Sequence, residues 1–442
     1  MATEDARYRQ STQYRLWSFS PGKLASLRAQ TNELAAASIS ARLAAARSSG
    51  SGANSDSGNG NGSGSVAATP APLPDFLTPA DEHQLLTFYT VMLLKAATFC
   101  ELSSDARASA AVLLKRFYVT NSIMTYPPST MIKTALFFGA KAEGHYLRVG
   151  RIADRIKGTT PEEILAGEFL LCEGVRFAFD VRHPFRALQG AFMQLRRCTA
   201  DLDDDARLGR AHDRAGAVLR FSSLVTDVYF HYTPSQIMMA ALSIADHGLL
   251  ERLIQETFKR GGGSSSSTAT PLAEDGAATP ATTADGAAAV QPGGKPARSG
   301  RAKKSELERE RIFGAEVREK VLATIAACRK MLETEPPERE DEYYGTPHEA
   351  TLFKPLQRKL KKCRDPDRHD LVALQKARRE RALNSIDSDD EGPGARPGAK
   401  KATVEDDGAV FGGPMLAAAA AGDSSRDPKR RKVSNDPFGP PL

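Results

Sequence analysis

The sequence predicts an all-α protein carrying two tandem copies of a five-helix unit, and three observations point there. Tyr126-Pro127-Pro128-Ser129 superposes on Tyr232-Thr233-Pro234-Ser235 at a constant offset of 106 residues, which also aligns Val112 with Val218, Leu113 with Leu219, Thr120 with Thr226, Ala135 with Ala241 and Leu136 with Leu242. A repeat of that length is a fold-level signal. Apolar residues recur at the i, i+3, i+4, i+7 spacing of a helix face, and the alternation that marks strands is nearly absent.

Taken in order, residues 1–46 hold one helix. Ser20 suits its N-cap and Pro21 its first position, where a missing amide costs nothing, and Leu24, Leu27, Leu34, Ile39 and Leu43 give it an apolar face. The single tryptophan, Trp17, and Phe19 stand just outside and are expected to staple this helix onto another surface, the alternative being ordinary packing on its own domain. After a linker (47–75), the first repeat (76–181) opens at Thr78-Pro79 with a helix carrying Leu85, Leu86, Tyr89, Met92, Leu93, Ala96 and Phe99. A second helix runs from about Ser104 through Ala111, Leu114, Phe117 and Tyr118. The third starts at Pro127-Pro128 and ends near Glu143-Gly144, where glycine suits a helix C-terminus. A short fourth covers about 147–156, and Thr160-Pro161-Glu162-Glu163 caps a fifth that runs to about Val175.

The second repeat (182–335) follows the same plan: a helix from Pro184 through Leu188, Phe192 and Leu195, another over about 204–225, a third from Pro234, and a short fourth over about 249–258. Its fifth helix lies beyond a Gly/Ser/Ala-rich insertion (261–304), at Ile312, Val317, Val321, Ile325, Cys328 and Leu332. Lengthening a loop costs little closure entropy, so an insertion there is tolerable. A helical, basic extension (336–382) and a tail expected to be disordered (383–442) complete the chain.

The tracts 47–74, 261–304 and 384–442 lack the apolar periodicity that offsets ordering entropy, leaving roughly 310 residues for folded structure, enough for one or two cores. The five cysteines, at 100, 172, 198, 328 and 363, form no CxxC pair and have no histidine at ligand spacing. They read as small, mostly buried thiols in a reducing compartment. No apolar run approaches the roughly 20 residues of a membrane span, and a signal-peptide core is missing. Of the +6 formal charge, the stretch from Lys354 to Arg381 carries +7, with eleven Lys or Arg against four Asp or Glu. Basicity therefore belongs to one segment. HExxH, GxxxxGK[ST], GxSxG and kinase signatures are all missing, so no catalytic residue, cofactor or metal is expected. Asp201, Asp203, Asp204 and Asp205 read as a solvated cluster before a helix, compensated by its dipole.

Two five-helix repeats, each with a proline-initiated third helix, resemble the cyclin family. The stretches that carry the likeness are WSFSPGKLASLRAQTN, LLKRFYVTNSIMTYPP, YTPSQI, and EPPERE followed by LQRKLKKC, in that order. Their order narrows it to the branch that serves the CDK-activating kinase. That branch implies a regulatory subunit without chemistry of its own, in a trimer with a cyclin-dependent kinase and a RING-finger assembly factor, acting with the core of the transcription factor TFIIH in the nucleus. In the family, a lysine ending the third helix and a glutamate in the fifth contact kinase backbone near its regulatory helix. The matching residues are Lys141 and Glu168. An apolar socket maps onto Ala142, Cys172, Phe177 and Phe179, with Ala142 smaller than the residue often found there. Ile164, Glu168, Leu171 and Val175 share one helical face, and a carboxylate in an apolar stripe needs a partner; a Lys141–Glu168 pair that only stabilises the domain is the other reading. The offset places His247 where the first repeat has Lys141, so the second repeat lacks the ammonium.

The competing reading is a DNA-binding factor, since the TFIIB family builds the same repeated fold. Its contacts need basic residues displayed on the repeats, whereas here they follow them, so direct nucleic-acid binding is not expected. Residues 352–360 read as an amphipathic helix with Leu356 and Leu360 on one side. In the tail, Ser385 and Ser388 look like sites for an acid-directed kinase. Lys429, Arg430, Arg431 and Lys432 resemble a nuclear-localisation signal.

Overall fold

The computed structural model describes residues 4–50, 74–198, 202–261, 300–343, 346–347, 349–368 and 370–389. It divides into two units, residues 1–372 and 373–442. Among the described residues every regular element is helical. The N-terminal region holds α1 (Glu4–Gln10), α2 (Thr12–Trp17) and α3 (Pro21–Gly50). The first repeat comprises α4 (Pro79–Phe99), α5 (Ser104–Thr120), α6 (Pro128–Ala142), α7 (Val149–Arg155), α8 (Pro161–Ala166) and α9 (Glu168–Gly174). The second comprises α10 (Phe185–Cys198), α11 (Leu202–Arg220), α12 (Ser222–Val225), α13 (Val228–His231), α14 (Pro234–Ala245), α15 (His247–Gly261) and α16 (Gly300–Leu332). A 3-10 turn (Pro337–Tyr343) and a π turn (Glu349–Phe353) lead into α17 (Lys354–Cys363), and α18 (Leu371–Asp389) accounts for the described part of the second unit.

Local chemistry sets the helix starts. Thr78 and Asp81 exchange hydrogen bonds in a capping box ahead of Pro79, Thr160 accepts from the Glu163 amide, and Thr233 and Gln236 repeat the box ahead of Pro234. Each satisfies amides that the first turn leaves unpaired. Gly144, past the end of α6, adopts φ +72°, a conformation costly for any residue with a Cβ.

Each repeat is organised on its second helix. From Ala106 to Val119 only Arg107 escapes burial in α5, which packs on α3, α4, α6 and α9. In the second repeat α11 packs on α10 and α14, and α14 on α16. The apolar pairs aligned by the repeat are core in both copies, Leu113, Leu219, Ala135, Ala241, Leu136 and Leu242 all being fully buried. On α16, Ile325, Cys328 and Leu332 close the second core. Four cysteines are buried and Cys198 is exposed.

Several expectations change. The fifth helix of the first repeat is two short helices, broken at Gly167, and the stretch expected over about 204–225 breaks at Phe221. The acidic residues 203–205 lie inside the first turn of α11, and Asp204 and Asp205 pair with Arg252 and Arg196 at 3.5 and 3.3 Å. Leu34 is 63% exposed and leaves the apolar face of α3. Helices also reach into segments expected to lack them: α3 to Gly50, α16 from Gly300 and α18 to Asp389, carrying Ser385 and Ser388. Once nucleated, a helix gains a hydrogen bond per added residue. The rest of the linker, insertion and tail, with Lys429, Arg430, Arg431 and Lys432, lies outside the described residues.

A charged cluster joins α3 to both repeats. Asp227, between α12 and α13, accepts both guanidinium nitrogens of Arg28 on α3, at 2.7 and 2.9 Å, and pairs at 3.3 Å with Lys115 of α5. Lys115 is buried, and its ammonium also donates to the carbonyls of Leu224, Val225 and Thr226, where α12 ends. Burial lowers the pKa of the Lys115 ammonium. The Asp227 carboxyl is held well below its usual range by Lys115 and Arg28, which outweigh its own desolvation. Across the junction between repeats, His183 bridges the Ser109 hydroxyl (2.9 Å) and the Tyr229 hydroxyl (3.0 Å).

Candidate functional site

The site candidates fall where the C-terminus of α6 meets the start of α9. Lys141 occupies the last turn of α6 and Glu168 the first residue of α9, so each charge complements the helix end that carries it. Their side chains meet at 2.8 Å. Glu168 is buried and its partner is 42% exposed along the side chain, so the ammonium faces outward while the carboxylate stays rooted in the core. Lys141 also lies 5.8 Å from the centre of the Phe137 ring. Ile164, Leu171 and Val175 are fully buried beside Glu168, so the shared face survives the helix break.

The residue at that break must be glycine. A Cβ on Gly167 would come within 2.6 Å of the Thr134 hydroxyl, which itself donates to the Ile164 carbonyl at 2.8 Å. Only glycine lets the α8–α9 corner sit this close to α6. A second ion pair, Lys133–Glu163 at 2.6 Å, ties α6 to α8.

Past α9 the chain turns through two successive left-handed residues, Arg176 (φ 56°) and Phe177 (φ 55°), with the Phe177 amide donating to Cys172 O at 2.9 Å. A non-glycine residue at positive φ is uncommon, and here two of them turn Phe177 outward to 59% exposure. Phe177 meets Phe169, itself 60% exposed, at 6.5 Å and Phe179 at 6.2 Å between ring centres; Phe179 is anchored on buried Phe138 at 5.0 Å. Cys172 lies buried beneath, its thiol pushed up to about 11 by burial and the Glu168 charge, while Ala142 is exposed. The geometry thus brings Lys141, Glu168, Cys172, Phe177 and Phe179 into one neighbourhood.

Phe169 and Arg116 were not singled out from the sequence. Arg116, 1% exposed, donates to the Ala178 carbonyl at 3.0 Å and so fixes the turn that presents Phe177. Its guanidinium, whose pKa burial lowers to about 10, stacks 5.4 Å from the centre of the Trp17 ring. Trp17 is 2% exposed, and the Phe19 amide donates to the Phe230 carbonyl at 2.8 Å. The expected staple is therefore internal, and it buttresses the apolar turn. The signal available was a Lys-Arg pair in the middle of an apolar helix.

In the second repeat His247 is exposed and faces Glu251 of its own helix at 3.6 Å. Among the described residues no group of three His, Cys, Asp or Glu is placed to hold a metal ion, and no helix is long and apolar enough to cross a membrane.

Comparison with known proteins adds the following. The family described as the cyclin C-terminal domain matches residues 183–333. The chain is 29% identical over 265 residues to cyclin CCL1 of Saccharomyces cerevisiae, covering 60% of this chain and 64% of the yeast protein. It is 29% identical over 238 residues to cyclin mcs2 of Schizosaccharomyces pombe, covering 53% of this chain and 68% of that protein. A chain in the structure of the CAK complex from Chaetomium thermophilum bound to ATP-gamma-S superposes with a TM-score of 0.67 at 46% identity, covering 89% of this chain and all of that one.

Proposed function

Since the chain belongs to the cyclin family, as a cyclin H-like member, we propose that it is the regulatory subunit that switches on a cyclin-dependent kinase. The observation that carries this reading is the Lys141–Glu168 pair set beside the exposed Phe169 and Phe177 rings and the half-buried Phe179. An exposed aromatic cluster next to a directed charge pair offers both parts of an interface: apolar area to bury, and polar groups that fix orientation. Lys141 and Glu168 bind kinase backbone beside its regulatory helix, while Phe177, Phe179, Cys172 and Ala142 form the apolar socket for that helix.

On this reading the chain performs no chemistry. It holds the kinase's regulatory helix where its glutamate pairs with the ATP-orienting lysine, which completes the phosphoryl-transfer site in the partner. Activation requires that the surface prefer the active arrangement, since equal affinity for both states shifts nothing. The kinship supports a trimer with a RING-finger assembly factor, working with the TFIIH core in the nucleus on the RNA polymerase II tail and on cell-cycle kinases.

Lys141→Ala and Glu168→Ala each weaken kinase association in co-purification and titration, by roughly tenfold or more, as expected when one member of a desolvated charge pair is removed. Far-UV circular dichroism of the isolated chain stays helical in both. Normal kinase activation by the double variant removes these two residues from the interface.

A further inference from the structure

A strongly basic surface lies on α17, and none of its residues is among the candidate kinase contacts. Residues 354–364 carry six basic side chains and no acidic one. At 100° per residue, Lys354, Arg358, Lys361 and Lys362 fall within an arc of roughly 100°, opposite Leu356, Leu360 and Cys363. Leu360 and Cys363 are buried, and the four cations are exposed.

The helix is firmly seated. Phe353 at its start is 3% exposed, with its ring 4.9 Å from Phe88 and stacked 5.5 Å from Tyr343. Lys359, on the flank, is neutralised by Asp75 at 2.9 Å and Asp81 at 3.4 Å. Just past the helix, Asp365 is buried, bonds Arg42 of α3 and donates its amide to the Met124 carbonyl. The Asp365 carboxylate is thus taken up in the interior. Lys354, Arg358, Lys361 and Lys362 have no ion pair or hydrogen bond from their side chains among the described residues.

We propose that this face of α17 is a docking strip for the phosphate backbone of duplex nucleic acid. A protein partner needs buried aromatic or aliphatic anchors at the centre of its interface, and this arc offers none. What it offers is four cations along roughly 12 Å of a fixed helix axis, matched to a surface of uniform negative charge at about one phosphate per 3.4 Å of each strand. The contact is with phosphates, which carry no sequence information, so binding is expected to be indifferent to sequence. It differs from a repeat-borne DNA-binding mode, since it lies wholly on the C-terminal extension.

The test is fluorescence anisotropy of the full chain with a labelled duplex of arbitrary sequence. Four neutralised phosphates predict a log–log salt slope near −3.6, hence a loss on the order of a hundredfold in affinity between 50 and 200 mM salt. Lys354→Glu/Arg358→Glu/Lys361→Glu/Lys362→Glu lowers affinity at least tenfold and flattens the slope, with an unchanged thermal midpoint and unchanged kinase activation. The all-arginine version of the three lysines retains binding. Undiminished duplex binding by the charge-reversed variant overturns the proposal. So does capture of an acidic phosphopeptide of equal charge through the same residues while duplex DNA fails to bind. Kinase activation is read separately, so failure here leaves the regulatory role intact.

Discussion

Replacing Asp227 by Asn tests how the N-terminal helix and the two repeats are held together. The carboxylate stands 3.3 Å from the Lys115 ammonium and receives two bonds from Arg28, with side-chain exposures of 12%, 5% and 16% for Asp227, Lys115 and Arg28. At an effective dielectric of about 20, a contact at 3.3 Å is worth about 5 kcal/mol of attraction before desolvation. Removing one member of a buried pair typically costs 3–5 kcal/mol, because the remaining charge stays uncompensated. In Asp227→Asn two cations face each other. Part of the loss is recovered because Lys115 keeps its three carbonyl acceptors and, already lowered in pKa, can release its proton. A net loss of about 3 kcal/mol corresponds to a fall of roughly 6–10 °C in thermal midpoint for a chain of this size. The assay is calorimetric unfolding with an Arg28→Met/Asp227→Asn double-mutant cycle, expected to give a coupling of about 2 kcal/mol. Replacing all three charges with Met or Leu costs less than Asp227→Asn alone, since no orphan charge is left. The Asp227 pKa is depressed in the fold, so its contribution is complete above the unfolded value near 3.8 and is lost only as pH falls through the lower folded value. A loss that already develops between pH 8 and pH 6, or a coupling near zero, refutes the reasoning.

Phe177→Gly separates binding from stability. Glycine removes the cost of a left-handed residue, about 1 kcal/mol, so the isolated chain unfolds at an equal or higher temperature, while kinase affinity falls roughly tenfold or more through lost apolar burial. A matching loss of stability would place Phe177 in the core. Glu82, which accepts a hydrogen bond from Ser122, has its carboxyl pushed up to about 7 by burial. A raised carboxyl stabilises fully below its unfolded pKa near 4.5 and ceases to as pH rises through about 7. Stability of the native chain relative to Glu82→Gln therefore declines by roughly 1–3 kcal/mol from pH 4.5 to pH 8, measured by denaturant unfolding at several pH values; a difference that does not vary with pH excludes Glu82.

How legible each feature was in the sequence follows the range of the forces that set it. Helix starts at Pro79, Pro161 and Pro234 were readable, because a Thr cap and an N1 proline act within four residues. The need for glycine at the α8–α9 corner was not, because the residue that leaves no room for a Cβ there, Thr134, lies thirty-three positions earlier in the chain. The short helices α1 and α2 were missed for a related reason: helices of seven and six residues are too short to stand alone, and tertiary burial of Tyr8 and Trp17 holds them. At the site, the Lys141 and Glu168 pairing was foreshadowed by a carboxylate in an apolar stripe. The outward turn of Phe177 left no trace, since Arg176 and Phe177 adopt left-handed angles without the glycine that normally announces them.

The two repeats share a fold but spend their charges differently, and the positions explain how. In the first, Lys141 and Glu168 sit at the facing ends of two helices, so the dipoles of α6 and α9 favour both charges and the pair is held at the surface with its carboxylate buried. In the second, the equivalent position is His247, already the first residue of the next helix, where an added positive charge is opposed by the dipole, the adjacent Asp246 is taken up by Arg207, and the acid His247 faces is Glu251, one turn along its own helix. A surface grip cannot form there by the same logic. The second repeat's most constrained acid, Asp227, points inward to Arg28 and Lys115 instead. Directional charge is thus presented outward on the first repeat, and on the second it is consumed in fixing α3, which follows the α2 helix whose Trp17 backs Arg116 and through it the Phe177 turn.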